Sequence, residues 1–563
     1  MNNNEINVSL LISTNSESIP FPVDSDPSLK ADFENEGRLM VIFANPLSGS
    51  QEGLTIMELG GQYRSSTVNK YMVLKFPDCS SNVANETAKT MVSTSSNLRE
   101  KSYRPAVFDP SITFSIVVFN ILDKADFTKG KKFIKEYLNR YENNKIKILI
   151  GGGDGTVLSI VEDLNEDKVN LERCIFGAVP LGTGNDLSNA MGFGNRVNLN
   201  KKISHFHRVL YTYLMAEQCK IDVWELTLIM KENGLINEVK KDGEHTKYDE
   251  SGKVLLKSFT KTFINYMSLG FDARVGFNFE QKRSSSRCLN KMIYGWEATK
   301  RYLCCRKNIP LTTILDSFQV IDQTKIIPEE HEEEVKPIIS NQQNQMIVEE
   351  ENKEDDKKEK LIQLDSDVPN IDDIDPNDKL LKKRVTIFKT KDWRNSNGSG
   401  KGKDYLKVGL VGNPIDIICQ NINFYMGGTR DIWEHSGSQL GLKVINAKEE
   451  EMKNYKNKVI SQFNEQRYDD KKIEFFTYES GISMALERVA SGQANKIYQG
   501  QGPVIMTFKQ TPDKTEEAAL NKVYLNADGE FFHLLQPKEL IVGLNTKICG
   551  GQINFLKNIT GIK

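Results

Sequence analysis

A run of glycines around one aspartate, Gly151-Gly152-Gly153-Asp154-Gly155-Thr156, has residue types and spacing suited to phosphate chemistry. It follows the apolar run IKILI and precedes apolar residues at helical spacing. Glycines at such a turn let backbone N–H groups approach a phosphate closely, and the helix N-terminus favours an anion. The pattern predicts that Asp154 orders a nucleotide directly or through a metal ion. A tight turn capped by Asp154 is an equal alternative, since the Rossmann and Walker patterns are not matched.

A second loop of the same kind, PLGTGNDL, begins at Pro180 after the apolar run FGAVP. Its small and polar residues are candidates for holding a phosphate or capping the next helix: Gly182, Thr183, Gly184, Asn185 and Asp186. Loops that follow successive parallel strands lie at the same edge of a sheet, where ligands bind in open α/β folds. The pair of loops therefore favours a nucleotide site over two unrelated turns.

The elements around these loops predict an α/β fold with two domains. Apolar runs at 38–45, 115–121, 146–150 and 176–180 alternate with helical patterns, which is typical of a doubly wound, mostly parallel sheet. We assign this first domain, which carries both glycine loops, to 38–218. Further along, strand-like runs follow one another directly and indicate a second, mainly antiparallel β domain at 219–309 and 403–545.

Several segments lack the periodicity of packed elements. Residues 1–37 are polar and predicted to be disordered, and most of 50–113 is predicted to be an irregular insertion. A charged, glycine-containing stretch at 232–257 interrupts the second domain. A larger interruption at 310–402 carries blocks such as EEENKEDDKKEK, and we interpret it as a disordered acidic insert.

Bulk composition excludes several classes of function. The chain has 563 residues, and its formal charge of −2 argues against nucleic-acid binding by bulk electrostatics. Eight cysteines without a C-x-x-C pair indicate reduced thiols and no zinc finger. The N-terminus lacks a basic region and no apolar run reaches 18 residues, so neither a signal peptide nor a membrane span is expected. These features predict a cytoplasmic protein.

The motifs, taken in order, resemble those of the eukaryotic-type diacylglycerol kinases. GGDGT followed by PLGTGNDL resembles their catalytic domain, and NPLSG at 45–49 resembles their first loop, N-P-x-S-G. Further family motifs are matched by NYMSLGFDA at 265–273, NKMIYG at 290–295, NINFYMGGTRDIW at 421–433 and DGE at 528–530. The resemblance covers roughly 38–308 and 403–543. The tandem cysteine-rich zinc domains of many family members are not recognisable.

The resemblance implies transfer of the γ-phosphate of ATP to diacylglycerol, with Mg²⁺, to give phosphatidic acid in lipid signalling and glycerolipid metabolism. It places three residues of the first loop beside the nucleotide: Asn45, Ser48 and Gly49. It places the first glycine loop along the ATP phosphates: Gly152, Gly153, Asp154, Gly155 and Thr156. The second loop, from Gly182 to Asp186, would close the nucleotide site.

The same resemblance leaves the proton acceptor open. The pair Asp528 and Glu530 would take the proton of the lipid hydroxyl, and Asp154 is a rival for that role. Asp272 would contribute to the magnesium shell, or it would be the N-cap of a helix that begins at Ala273.

Rival functions are a sphingosine or ceramide kinase, a NAD kinase, and a non-catalytic lipid-binding regulator with the same fold.

A basic stretch at 282–307, KRSSSRCLNKMIYGWEATKRYLCCRK, has apolar residues among its lysines and arginines. It predicts an amphipathic helix that makes transient contact with an anionic membrane surface, and hence reversible peripheral association. The alternative is an ordinary helix whose Ile293 and Trp296 lie in the core. Protein partners are not indicated by the sequence.

Overall fold

The computed structural model describes residues 39–49, 52–62, 71–75, 113–197, 199, 203–249, 251–284, 287–303, 308–321, 384–390 and 407–559. The tail expected to be disordered, 1–37, lies outside these ranges. So do most of the insertion at 50–113 and the central part of the acidic insert, 322–383.

The first half of the chain forms these elements: β1 (Leu39–Ala44), α1 (Glu52–Gln62), β2 (Tyr71–Lys75), β3 (Thr113–Asn120), α2 (Lys124–Arg140), β4 (Ile146–Gly152), α3 (Asp154–Glu166), β5 (Cys174–Pro180), α4 (Asp186–Ala190), α5 (Ile203–Leu214), β6 (Glu217–Asp222), β7 (Trp224–Lys240), β8 (Gly243–Thr246), β9 (Ser258–Phe263), β10 (Tyr266–Gly270), α6 (Phe271–Glu280) and α7 (Arg287–Leu303).

The second half forms these elements: α8 (Leu311–Ile314), β11 (Leu315–Ile321), β12 (Arg384–Lys389), β13 (Val408–Leu410), β14 (Asp416–Gln420), β15 (Phe424–Tyr425), β16 (Thr429–Arg430), α9 (Ile432–His435), β17 (Leu442–Val444), α10 (Glu449–Ile460), β18 (Ile473–Tyr478), α11 (Gly481–Glu487), β19 (Asn495–Gly500), β20 (Val504–Phe508), α12 (Lys514–Leu520), β21 (Val523–Ala527), β22 (Glu530–Leu544) and β23 (Gln552–Lys557).

The first domain is a seven-stranded sheet in the order β2-β3-β1-β4-β5-β23-β6, in which β3, β1, β4, β5 and β23 run parallel. Its central strands are buried along their whole length because helices cover both faces, so they read as continuous apolar runs. The helix α2 packs Phe133, Ile134, Tyr137 and Leu138 against this sheet. The predicted doubly wound, mostly parallel domain is confirmed.

The second domain is built on a twelve-stranded sheet whose described pairings are all antiparallel. Its two longest strands, β7 and β22, pair along most of their length, from Trp224↔Leu544 to Val239↔Phe531. A separate apolar core that includes Trp224, Phe318 and Phe475 fills this domain. The predicted antiparallel β domain is confirmed.

Three predicted irregular segments contain regular structure and need correction. The charged stretch at 232–257 continues β7 as far as Lys240 and then forms β8, because β22 supplies a pairing partner. The acidic insert at 310–402 begins with α8 and β11 and ends with β12, which pairs with β11. Within 50–113, α1 buries Ile56 in the first core and β2 pairs with β3. Tertiary partners order these residues despite their weak local patterns.

The C-terminal strand β23 returns to the first domain, which the assignment ending at 545 did not include. It lies between β5, to which it is parallel, and β6, to which it is antiparallel. Ile553, Phe555 and Leu556 are fully buried there. Within its described ranges the chain therefore crosses between the domains after β6 and again after β22.

Candidate active site

Three loops meet at the carboxyl edge of the parallel sheet because β1, β4 and β5 are neighbours. The backbone N–H of Asn45 donates to the Gly151 carbonyl at 2.9 Å, and those of Leu181 and Gly182 donate to the Gly152 carbonyl at 3.1 and 3.0 Å. A Cβ on Gly182 would lie 2.6 Å from the Cα of Gly153. The two glycine loops predicted from the sequence are therefore in direct contact.

The first glycine loop is a single-residue connection. The strand β4 ends at Gly152 and α3 begins at Asp154, so only Gly153 lies between them. Apart from the backbone of α3 itself, no atom of the described residues lies within 4 Å of the position that a Cβ on Gly155 would occupy. The first turn of α3 thus faces open space, and an anion placed there would meet backbone N–H groups at a helix N-terminus.

Asp154 connects this loop to the second one. Its carboxylate accepts the backbone N–H of Asp186 at 2.9 Å. Burial, followed by the nearby carboxylates of Asp186 and Asp528, raises the pKa of Asp154 to about 8. The three carboxyl groups therefore share one low-dielectric space, although they come from three separate parts of the sequence.

The expectation that the side chain of Asn185 or Asp186 caps the next helix needs correction. Asn185 occupies the N-cap of α4 with a left-handed φ of 57°, but its side chain makes no capping hydrogen bond. Instead its amide donates to the carbonyls of Gly182 at 3.0 Å and Asn195 at 2.8 Å. Asp154, from the other loop, caps α4. Asn185 therefore shapes the second loop from within.

Asp528 lies at the turn between β21 and β22 with a φ of 47°. Its two oxygens accept the backbone N–H groups of Ile264, Asn265 and Tyr266 at 2.7, 3.0 and 3.0 Å. Burial raises its pKa to about 6, and these three hydrogen bonds oppose the rise. Three backbone donors therefore already occupy the Asp528 carboxylate.

Glu530 is more accessible than Asp528 and forms an ion pair with Lys261, whose Nζ lies 2.9 Å from Oε1. The Lys261 ammonium also interacts with Glu162 of α3 and with Asp528. One lysine of the second domain therefore reaches the helix that follows the first glycine loop. The sequence did not indicate Lys261, which lies outside every recognised motif.

A hairpin of the second domain, β15–β16, closes the other side of the cleft. The backbone N–H of Gly427 donates to both carboxylate oxygens of Asp186, at 2.9 and 3.0 Å. Burial raises the pKa of Asp186 to about 6, against the opposing effects of this N–H and of the Arg488 guanidinium. The sequence placed Gly427 in a motif without a function, and only the fold brings Arg488 here.

Asp272 belongs to a further polar cluster, and its carboxylate interacts electrostatically with the same Tyr266 hydroxyl as Asp186, Asp528 and Asp154 do. Its oxygens accept the hydroxyls of Ser268 at 2.7 Å and Tyr294 at 2.8 Å. The carboxylate of Asp416 accepts the backbone N–H of Asp272 at 2.9 Å. Since α6 begins at Phe271, Asp272 is not the N-cap that one alternative proposed. Its contribution to a magnesium shell stays a prediction.

The residues of the cleft fit a magnesium ion that arrives with a nucleotide. Across the described ranges, no group of three or more His, Cys, Asp or Glu side chains is arranged to hold a metal ion. Mg²⁺ is commonly held by one or two carboxylates together with substrate phosphates. Asp154 is partly accessible and has a raised pKa, so a cation beside it would relieve the repulsion from Asp186 and Asp528.

Comparison with known proteins agrees with this architecture. Residues 120–212 match the model of the diacylglycerol kinase catalytic domain, and residues 262–357 and 378–531 match that of the diacylglycerol kinase accessory domain. Together the two matches cover more than half of the chain, in the order that the two domains of the structure follow. The chain therefore belongs to the diacylglycerol kinase family.

Curated relatives carry the same name. Diacylglycerol kinase 3 of Arabidopsis thaliana is 30% identical over 179 residues, which are 28% of this chain and 36% of the relative. Diacylglycerol kinase 5 of the same plant is 34% identical over 188 residues, 29% and 36% of the two chains. Human diacylglycerol kinase iota is 30% identical over 181 residues, which are 31% of this chain and 15% of the relative. The matches thus span about a third or less of each relative's length.

Proposed function

We propose that this protein is an ATP-dependent diacylglycerol kinase. It transfers the γ-phosphate of ATP to the free hydroxyl of diacylglycerol and forms phosphatidic acid, a step in lipid signalling and glycerolipid metabolism. The observation that carries the proposal is the cleft between the two domains. There the two glycine loops touch, and Asp154, Asp186 and Asp528 gather around the space in front of them.

In this proposal the first turn of α3, from Asp154 to Thr156, binds the ATP phosphates through backbone N–H groups. The second loop, with Thr183 at its centre, closes over them, and the loop at 45–49 lies beside the nucleotide. Mg²⁺ held between Asp154 and the phosphates would neutralise the charge on the transferring group. Asp186, fixed by Gly427, aligns the second loop with the hairpin of the other domain.

The lipid hydroxyl must lose its proton as its oxygen attacks the γ-phosphorus and the bond to ADP breaks. We assign the proton to Glu530 first, because it is partly accessible and Lys261 orients its carboxylate. Asp154 remains the rival acceptor. Asp528 holds the turn on which Glu530 stands, through its three backbone hydrogen bonds.

A labelled-ATP assay tests the proposal. The full-length protein is incubated with γ-labelled ATP and Mg²⁺ and with diacylglycerol, ceramide or sphingosine, and the products are identified. We expect labelled phosphatidic acid. Label found only in a sphingolipid would move the protein to the sphingolipid kinases. The absence of any labelled lipid, with ATP binding retained, would instead support a non-catalytic regulator.

Contact with a membrane surface is part of the proposal. No helix among the described residues is long and apolar enough to cross a bilayer. On α7, Met292 and Trp296 are 67% and 63% exposed, and Ile293 is half-buried, which favours the membrane helix over the core alternative. The neighbouring helix α11 exposes Ile482, with 59% of its surface accessible, and Val489, two residues after the end of this helix, is 88% exposed.

The charges around these helices complement an anionic surface. Glu297 is buried, and its carboxylate pairs with Lys282 at 2.7 Å and Lys300 at 2.5 Å. Lys282 and Lys300 are the more exposed partners in these pairs, and Arg488, which directly follows α11, is also exposed. Basic side chains near a membrane contribute about 1 kcal/mol each with anionic lipids.

Vesicle sedimentation with Val489→Asp tests the surface against a matched control, Val254→Asp, which places the same change on an exposed valine of the β8–β9 connection. An apolar side chain buried in a membrane contributes about 1.5–3 kcal/mol, so Val489→Asp is expected to weaken binding to anionic vesicles at least about tenfold. Val254→Asp should bind like the wild type. Equal weakening in both variants, or equal wild-type binding to neutral vesicles, would contradict the assignment.

A further inference from the structure

A cavity of about 170 Å³ lies beside the catalytic cleft, between α6, α7, α11 and the β15–β16 hairpin. Much of its wall is apolar and is formed by the side chains of Phe271, Val275, Met426 and Met484. An apolar protein cavity of about 150 Å³ is enough to bind benzene, so this one has room for several carbon atoms of an acyl chain.

One polar group of the cavity lacks a partner. Tyr425 lines the cavity, is 2% exposed, and its buried hydroxyl makes no hydrogen bond within the described part of the chain. A buried hydroxyl without a partner costs folding free energy, so such a group calls for a partner from outside the chain. By contrast, the Tyr294 hydroxyl in the same cavity donates to Asp272.

The cavity is connected to the catalytic residues through aromatic contacts. The ring of Tyr425 packs edge-to-face on Tyr266, with centroids 4.6 Å apart. The Tyr266 hydroxyl interacts electrostatically with Asp186, Asp272, Asp528 and Asp154, and two residues after Tyr425 the N–H of Gly427 binds Asp186. A molecule in the cavity would therefore lie close to the three carboxylates.

The cavity also lies beneath the surface assigned to the membrane. Its wall includes Gly295, which is next to exposed Trp296 on α7, and Ala485, which is next to exposed Leu486 on α11. The two helices contact each other. Arg488, at the end of α11, lines the same cavity and donates to the Met426 carbonyl at 3.1 Å.

We propose that this cavity binds the ester end of the diacylglycerol molecule. The Tyr425 hydroxyl donates to an ester carbonyl, the apolar wall takes the first carbons of one acyl chain, and the free hydroxyl is directed toward Glu530 and Asp154. The lipid enters between α7 and α11 from the bilayer. This assignment rests on the proposed function, and it gives the tyrosine of the 421–433 motif a specific task.

The test is equilibrium binding of a fluorescent short-chain diacylglycerol analogue to the full-length protein without ATP, for wild type and Tyr425→Phe. Loss of one hydrogen bond is expected to raise the Kd about tenfold. The thermal midpoint should stay unchanged or rise, since the variant removes a hydroxyl that has no partner in the protein. With turnover, the KM for diacylglycerol should rise while the KM for ATP changes less than about twofold.

A matched control is Tyr137→Phe on α2, which removes a buried tyrosine hydroxyl that accepts a hydrogen bond from Asn144 at 3.2 Å. It should lower the thermal midpoint and leave lipid binding unchanged. An unchanged Kd in Tyr425→Phe would overturn the assignment and leave ordered water as the partner. Tyr425-dependent binding without turnover of any lipid would contradict the proposed activity alone, so the two failures are distinguishable.

Discussion

At the scale of single residues, Asp154 is a strongly constrained side chain of the cleft, since it caps α4 and its carboxylate is repelled by those of Asp186 and Asp528. Asp154→Ala is expected to lower turnover by about 10²–10⁴-fold while the protein remains folded. The check is the labelled-ATP assay combined with circular dichroism. A folded variant with near-normal turnover would exclude Asp154 from the nucleotide site.

The raised pKa of Asp154 also predicts a dependence of stability on pH. Between its ordinary value of 3.8 and about 8 the folded protein holds a proton that the unfolded chain releases, so stability falls as pH rises through this window. In Asp154→Asn, which does not titrate, the fall in thermal midpoint from pH 5 to pH 8 should be shallower. Added Mg²⁺ and ATP should raise the wild-type midpoint most at high pH. An identical slope in both proteins would contradict the shared carboxylate cluster.

At the scale of elements, the β15–β16 hairpin carries one of the contacts between the domains, through the hydrogen bonds from Gly427 to Asp186. Gly427 has a φ of 69°, and a Cβ on it would lie 3.3 Å from the Cα of Gly184. Gly427→Ala strains the hairpin by about 1–2 kcal/mol and pushes on the second glycine loop, so we expect the KM for ATP to rise about tenfold.

The adjacent glycine provides the control for this prediction. Gly428→Ala places a Cβ where no atom lies within 4 Å, and its φ is not in the left-handed region. Its ATP KM and thermal midpoint should match those of the wild type. If both variants behave alike, the hairpin does not act on the second loop.

The elements also show where sequence reasoning succeeds. The parallel strands were predictable because strands buried on both faces form continuous apolar runs, and the two glycine loops because glycine placement is local. Two other contacts could not be predicted, because each joins residues far apart in sequence. They are the hydrogen bond from Gly427 to Asp186 and the ion pair of Lys261 with Glu530. The disordered acidic insert was predicted to span all of 310–402, which is too wide. Its later part forms β12, a strand that is ordered by its pairing with β11.

At the scale of the whole molecule, stability of the first domain depends on β23. Phe555 is fully buried in that strand, so Phe555→Ala is expected to cost about 3–5 kcal/mol. Leu122→Ala, at a leucine with half of its surface exposed, should change stability by less than about 0.5 kcal/mol. Urea unfolding of both variants measures the difference. Equal midpoints would mean that β23 is not required by the sheet.

The position of β23 has a consequence for synthesis on the ribosome. The segment that completes the sheet of the first domain leaves the exit tunnel only after the whole second domain has been translated. Until then β5 and β6 have no strand between them, and their unpaired edges could pair with other chains. Nascent chains stalled before residue 552 are therefore expected to remain bound to chaperones, and the first domain should reach its folded state only after β23 has emerged.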